Sequence, residues 1–360
     1  MKLLATTALV LSLAGAGIAL AQDDAAQQQA LTHNAAYNAA MEAGDFDTAM
    51  TEAEAAWRAA EQGWGEDPNT AELAMLVAVG YLDLGQPQAA REAAARALEL
   101  APHAQSYTEG DARLWRGMSI VGDPAAQGDL EAGLAALDAA GTISEDTVRA
   151  RMMVAAMQLG QDPAASVAMA QKAVEDARAI ESLNLRAHLF EFGKMQYLGG
   201  QFGPATFSLR ESLGYWEEQE VGVLPQPLAD TLAWHTMADA AVSASAPAGA
   251  PAGPGGAGFG GGFPGMGFTF VPERNCRIEW AETPPVAFPP KAGQQANLGA
   301  SVLLYDIAED GSITNPRIAG AAPTRQYEQL ILDGMRTWRV ENEVRENCRN
   351  GHIQTVHYFY

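Results

Sequence analysis

The strongest constraint on the fold is a short glycine-led phrase that keeps returning between Ala-rich stretches. It reads GDFDTA from Gly44, GQPQAA from Gly85, GDLEAG from Gly128, GQDPAA from Gly160 and GQFGPA from Gly200. The starts lie 41, 43, 32 and 40 residues apart, which suits helix pairs carrying small insertions. In each pair the glycine ends the first helix, and a small residue soon after it lets the second helix lie close. Such pairs cannot bury their apolar faces alone, so they stack into an array with a concave side.

The copy from Ala71 to Pro102, AELAMLVAVGYLDLGQPQAAREAAARALELAP, is the fullest. It resembles a tetratricopeptide repeat, with Ala78 and Tyr81 in the first helix, Gly85 at the turn, Ala90 and Ala97 in the second helix and Pro102 ending it. Gly44, Phe46 and Ala49 match in the first copy, and Gly193, Gly200, Phe202 and Ala205 in the last. The array is expected over residues 22–243, with a helix from about Pro227 to Val242 covering its last apolar face. The resemblance implies that the concave side holds peptides or proteins. Trp57, Trp64, Trp115, Trp216 and Trp234 either line that groove or fill the core, and helical spacing favours the core.

Charge and the chain ends narrow the function. A net charge of −22 disfavours nucleic acid and anionic lipid, because both repel an acidic surface. From Pro272 onward there are 11 acidic and 9 basic residues, so almost all the excess belongs to the helical part, which favours a basic or neutral partner. The opening MKLLATTALVLSLAGAGIALAQDD has one Lys, an apolar stretch and Ala19-Leu20-Ala21 before an acidic segment. This is the layout of a secretory signal over residues 1–21, with the mature chain beginning at Gln22 in the periplasm. An uncleaved segment would instead anchor the chain in the inner membrane, facing the periplasm.

Residues 244–271 are dominated by Gly, Pro and Ala with almost no charge, a composition that cannot offset its own ordering entropy and so reads as a linker. Its GPGGAGFGGG run does not read as a phosphate loop, since no buried strand precedes it and no Lys-Ser/Thr follows.

Beyond the linker the period changes from helix to strand. Leu303, Tyr305 and Ile307 alternate along one face, Asp310-Gly311 marks a tight two-residue hairpin turn, and Ser312 to Ile318 returns with Pro316 placing that strand at a sheet edge. TRQYEQLILDGMRTWRV reads as a helix burying Tyr327, Leu330, Ile331, Met335 and Trp338, and GHIQTVHYFY as a last strand. This strand-strand-helix-strand order resembles the C-terminal domain of the TonB family. The matching residues are Phe288-Pro289 with Ala292, Gly299, DIAEDGSI at the hairpin, Tyr327-Glu328, and Trp338-Arg339-Val340. The fold class expected is therefore multidomain: an all-α tetratricopeptide-like solenoid, then a small α+β TonB-like domain over residues 272–360.

The TonB resemblance implies a non-enzymatic protein that takes an extended peptide, such as a segment of an outer-membrane receptor, alongside its last strand. The implied docking residues are Phe288, Pro289, His352, Ile353, Gln354, Thr355, Val356, His357, Tyr358, Phe359 and Tyr360. A proline at Thr355 or Val356 would remove an edge donor. If residues 1–21 stay in the membrane, the resemblance implies an energy transducer for receptor-mediated transport.

Cys276 and Cys348 are the only cysteines. In an exported chain they read as a disulfide, worth about 4 kcal/mol by loop closure, while two free thiols or half a metal site is the alternative. No nucleophile elbow, Cys-His pair or zinc spacing is present, and His352 and His357 fall on opposite faces of a strand. No catalytic centre, cofactor or metal is expected.

Overall fold

The computed structural model describes residues 23–217, 224–245, 280–282, 284, 298–341 and 346–359. The chain divides into two compact units between Met157 and Gln158. In the first, α1 (Asp23–Ala43) pairs with α2 (Phe46–Gly63), α3 (Pro68–Asp83) with α4 (Pro87–Leu100), and α5 (Glu109–Ser119) with α6 (Ala125–Ala139), followed by α7 (Glu145–Gln158).

Several helices begin where the sequence supplies a side-chain acceptor for their free amides. Asp45 and Asp67 accept the early amides of α2 and α3, and Thr108 with Asp111 forms a reciprocal capping box on α5. Gly44 and Gly85 end α1 and α3 with φ of 73° and 69°, a conformation that costs glycine nothing. The phrase at Gly128 departs from expectation. Gly128 lies inside α6, and Gly122, with φ 96°, makes that turn.

The interior is built from alanine. Ala53, Ala56, Ala60, Ala74, Ala78, Ala90, Ala94 and Ala97 have almost no exposure, so helices approach closely around a few large anchors such as Trp57 and Leu73. Of the five tryptophans in the helical part, Trp57, Trp115, Trp216 and Trp234 are buried; Trp64, at the end of α2, is half-buried. The tetratricopeptide-like positions fall as expected, with Ala78 and Tyr81 in α3, Gly85 in the turn and Ala90 and Ala97 in α4.

The second unit contains α8 (Pro163–Ala179), α9 (Leu185–Leu198), α10 (Phe202–Glu217), α11 (Gln226–Ser245), β1 (Trp280–Glu282), β2 (Leu298–Ile307), β3 (Ile313–Ala322), α12 (Glu328–Met335), β4 (Arg339–Val340) and β5 (His352–Phe359). The described strands form an antiparallel sheet in the order β3-β2-β5 and a small β1-β4 pair. The hairpin turn is one residue longer than expected. Ala308 and Ser312 close a three-residue loop in which Gly311, φ 76°, takes the left-handed position. The helix after it is shorter than expected: α12 ends at Met335, and Arg339-Val340 pairs as a strand.

The three-stranded sheet is covered on both faces. Leu303, Tyr305 and Ile307 of β2 pack with Tyr327, Ile331, Met335 and Trp338 around α12. The opposite side chains, Ala300 and Val302, join Leu228, Leu232, Ala233 and Met237 of α11, and the same cluster continues into Leu209, Leu213 and Trp216 of α10. As expected, α11 covers the last apolar face of the helices before it. It also carries the sheet on its other side, so the compact division falls within the helical array and not at the Gly/Pro/Ala-rich segment.

Gly320 of β3 marks the closest approach. A Cβ there would stand 2.4 Å from the Ala229 backbone of α11, and neither main chain can yield. Gly320→Ala should destabilise the second unit by about 1–3 kcal/mol, read as a lower urea midpoint. A fragment of residues 272–360, which leaves Ala300, Val302 and Ala322 uncovered, should unfold without cooperativity, whereas residues 158–360 should unfold as one transition.

Candidate partner-binding strand

β5 lies antiparallel to β2 in unbroken register, from Tyr305 opposite His352 to Leu298 opposite Phe359. Among the described residues no strand pairs with its other side. Its backbone polarity follows from two bonds at the hairpin end. The Ala308 amide donates to Ser312 on the β3 side at 2.9 Å, and the Ile307 amide donates to Arg349 on the β5 side at 2.7 Å. Alternation along β2 then turns Tyr305, Leu303, Ser301 and Gly299 toward β5. Their partners His352, Gln354, Val356 and Tyr358 spend their backbone groups on that ladder. Ile353, Thr355 and His357 aim theirs at the open edge. In keeping with this, the Gln354 side chain donates to the Thr355 carbonyl at 3.1 Å, capping an acceptor that the ladder does not use.

The side chains divide by face. Ile353 packs into the cluster around α11, while Val356 and Tyr358 pack into the cluster around α12. His352 stacks on Tyr305 with ring centroids 5.3 Å apart, and its Nε2 lies 2.5 Å from the Cys348 carbonyl. The start of the strand is pinned by Asp306, which accepts from the Gly351 amide at 2.8 Å and from Asn315 Nδ2 at 3.0 Å. Burial alone would raise the Asp306 carboxyl, but these hydrogen bonds outweigh it and hold it below its ordinary value.

Phe288, Pro289 and Tyr360, expected beside this strand, lie outside the described residues. So does Cys276, the expected partner of Cys348, which is buried in the turn before β5. Sequence reasoning missed the part played by α11, which backs the strand through Ile353 and sets Asp239 in the field of His357. The signal was present: Leu228 to Ala238 is apolar on every side apart from Asp230, His235 and two threonines, and a helix of that kind is buried all round. Among the described residues no group of three or more His, Cys, Asp or Glu side chains could hold a metal ion, and no helix is long and apolar enough to cross a membrane.

The chain is therefore a run of tetratricopeptide-like helix pairs followed by a small region of mixed strand and helix. No family model matches it, and no curated protein matches it. Solved structures similar to it include MamA, at 16% identity and TM-score 0.38 over 55% of this chain and 99% of that one. PilW, described as a widely conserved type IV pilus biogenesis factor, is similar at 17% identity and TM-score 0.38 over 63% of this chain and 94% of that one. BtubC from P. vanneervenii is similar at 12% identity and TM-score 0.41 over 61% and 84%.

Two histidines near the strand are held neutral by burial. His235 of α11 is pushed down to about 4, with Asp239 pulling up and Arg210 pushing further down; His357 is lowered too, against the pull of Asp239. Between pH 6.5 and 4 the unfolded chain takes a proton on His235 that the folded chain refuses, so stability present above 6.5 is lost as pH falls. Comparing urea midpoints at pH 7 and pH 4, His235→Leu should lose up to about 3 kcal/mol less than the wild type.

Proposed function

We propose that this protein is a non-enzymatic adaptor that binds other proteins, taking an extended segment along the edge of β5 and a second contact on its helix pairs. The observation that carries the reading is the regular pairing of β5 with β2 and, among the described residues, with no strand on its other side, which leaves the amides and carbonyls of Ile353, Thr355 and His357 facing outward. An incoming strand satisfies those groups, and alternate side chains set its specificity. The motif resemblance extends this to a TonB-family domain whose partners include outer-membrane receptor segments. With residues 1–21 removed, its place is the periplasm.

Proline substitution separates docking from folding. Thr355→Pro removes an outward donor and should weaken partner capture with the fold intact. Val356→Pro removes a donor to Ser301 and should unfold the sheet, so of the two positions named from sequence only Thr355 tests docking. The measurement is in-cell crosslinking from a photoreactive side chain at His357, with circular dichroism as the folding control. Unchanged capture by folded Thr355→Pro would move the site off this edge. Intact mass of the cellular protein tests its location: a soluble chain beginning at Gln22 is expected, and Met1 retained in the inner membrane would instead indicate an anchored transducer.

A Cys276–Cys348 disulfide belongs to the same proposal, supported by the export signal and the burial of Cys348. No thiol should be titratable after denaturation without reductant, and two thiols per chain would refute the bond.

A further inference from the structure

In a protein this acidic, half-buried arginines are expected to be neutralised by carboxylates, and most are. Arg58, Arg96, Arg113, Arg116, Arg149 and Arg151 each hold at least one. Arg186 is the exception. It is half-buried in the first turn of α9, and among the described residues no carboxylate or carbonyl accepts from its guanidinium.

Its surroundings are built for a planar cation. The guanidinium carbon stands 3.7 Å from the centroid of the Trp216 ring at the end of α10, a stacking that fixes the fork while leaving its N–H edge unspent. Ser212 Oγ donates to the Arg186 carbonyl at 2.9 Å, tying this turn to α10. Burial lowers the Arg186 pKa, a cost that no anion among the described residues offsets. Trp216 is itself buried, and its indole Nε1–H has no acceptor among the described residues. The N-cap residue Asn184 makes no capping hydrogen bond, and the amides of Arg186 and Ala187 find no acceptor among the described residues. Unsatisfied donors, and a helix N-terminus that favours negative charge, therefore gather at one end of the α9–α10 pair. Leu183, three residues upstream, is 80% exposed and offers an apolar contact beside them.

We infer that Arg186 and Trp216, at the start of α9 and the end of α10, form a binding site for a carboxylate of a partner peptide. The ligand is the side chain of an acidic residue or a free chain terminus, with an apolar neighbour meeting Leu183. A carboxylate fits better than a phosphate. One guanidinium fork matches its two oxygens, and a single cation in a chain of net charge −22 balances one negative charge, not two. The site shares no residue with β5, so its failure and the failure of strand docking are separate results.

The test uses the full chain and the seven tryptophan indole resonances, with that of Trp216 assigned by Trp216→Phe. Three probes are titrated: N-acetyl-Leu-Glu amide, which carries only a side-chain carboxylate; N-acetyl-Leu-Gln with a free C-terminus; and N-acetyl-Leu-Gln amide, which carries no charge. A saturable shift of the Trp216 indole with one or both charged probes, and none with the neutral one, is expected, and the stronger arm identifies the source. Arg186→Met should weaken that binding on the order of tenfold or more with no loss in melting temperature, and Arg186→Lys should fall between. Equal shifts with the neutral probe, no shift with either charged probe, or undiminished binding by folded Arg186→Met or Arg186→Lys would overturn the site.

Discussion

The second unit depends on the burial of α11 on two opposite sides. Leu228, Leu232, Ala233 and Met237 belong to one apolar cluster that reaches Leu209 and Leu213 of α10 and Ala300, Val302 and Ala322 of the sheet. Small residues decide how close these layers come: Ala229 faces Gly320 with no room for a methyl group, and Ala300 and Ala322 flank it. A sheet of three strands needs an apolar face packed against something to be stable. Held between α11 and α12, it gains two apolar faces, and the edge strand is fixed before any partner arrives. Preorganisation of that kind lowers the entropy a binding event must overcome.

Electrostatics in the first unit follow a different logic. Arg58 bridges to Glu92 with two short hydrogen bonds, Arg96 to Glu61 and Arg149 to Asp83, so cations tie separate helices together. Exposed pairs of this type contribute little to stability individually. Their larger effect is on what remains outside, since the arginines are taken up in pairs and the uncompensated charge of the surface is acidic. Such a surface repels anions in general, and against it Arg186, stacked on Trp216 with no carboxylate partner among the described residues, stands apart from the paired arginines.

The helix pairs were legible because alanine periodicity and turn glycines are local signals, as at Gly44 and Gly85. GDLEAG misled because the same letters suit a helix interior, and only the packing of α6 places Gly128 there. The edge position of β5 was legible from the order of elements. Which of its residues face outward was not. That depends on which residues of β2 turn their backbone toward β5, fixed by the Ala308–Ser312 and Ile307–Arg349 hydrogen bonds at the hairpin end, contacts that no local pattern in the last strand encodes. The second role of α11 was hidden for another reason. Its partners Val302 and Ile353 lie far along the chain, beyond the Gly/Pro/Ala-rich segment, so an apolar helix at the end of an array looked like a cap and nothing more.

The sheet has two edges, and they are not equivalent. β3 carries both register shifts, holds Asn315 at φ 49° and includes Pro316, which has no amide to donate. A strand laid against it would meet a broken ladder. β5 has neither a bulge nor a proline, and its register with β2 is continuous for eight residue pairs. What guards it is weaker: the Gln354 side chain occupies the Thr355 carbonyl, a neutral hydrogen bond that an incoming amide replaces at little cost. Irregularity on one side and a removable cap on the other therefore make β5 the edge of this sheet that could take a further strand in regular register.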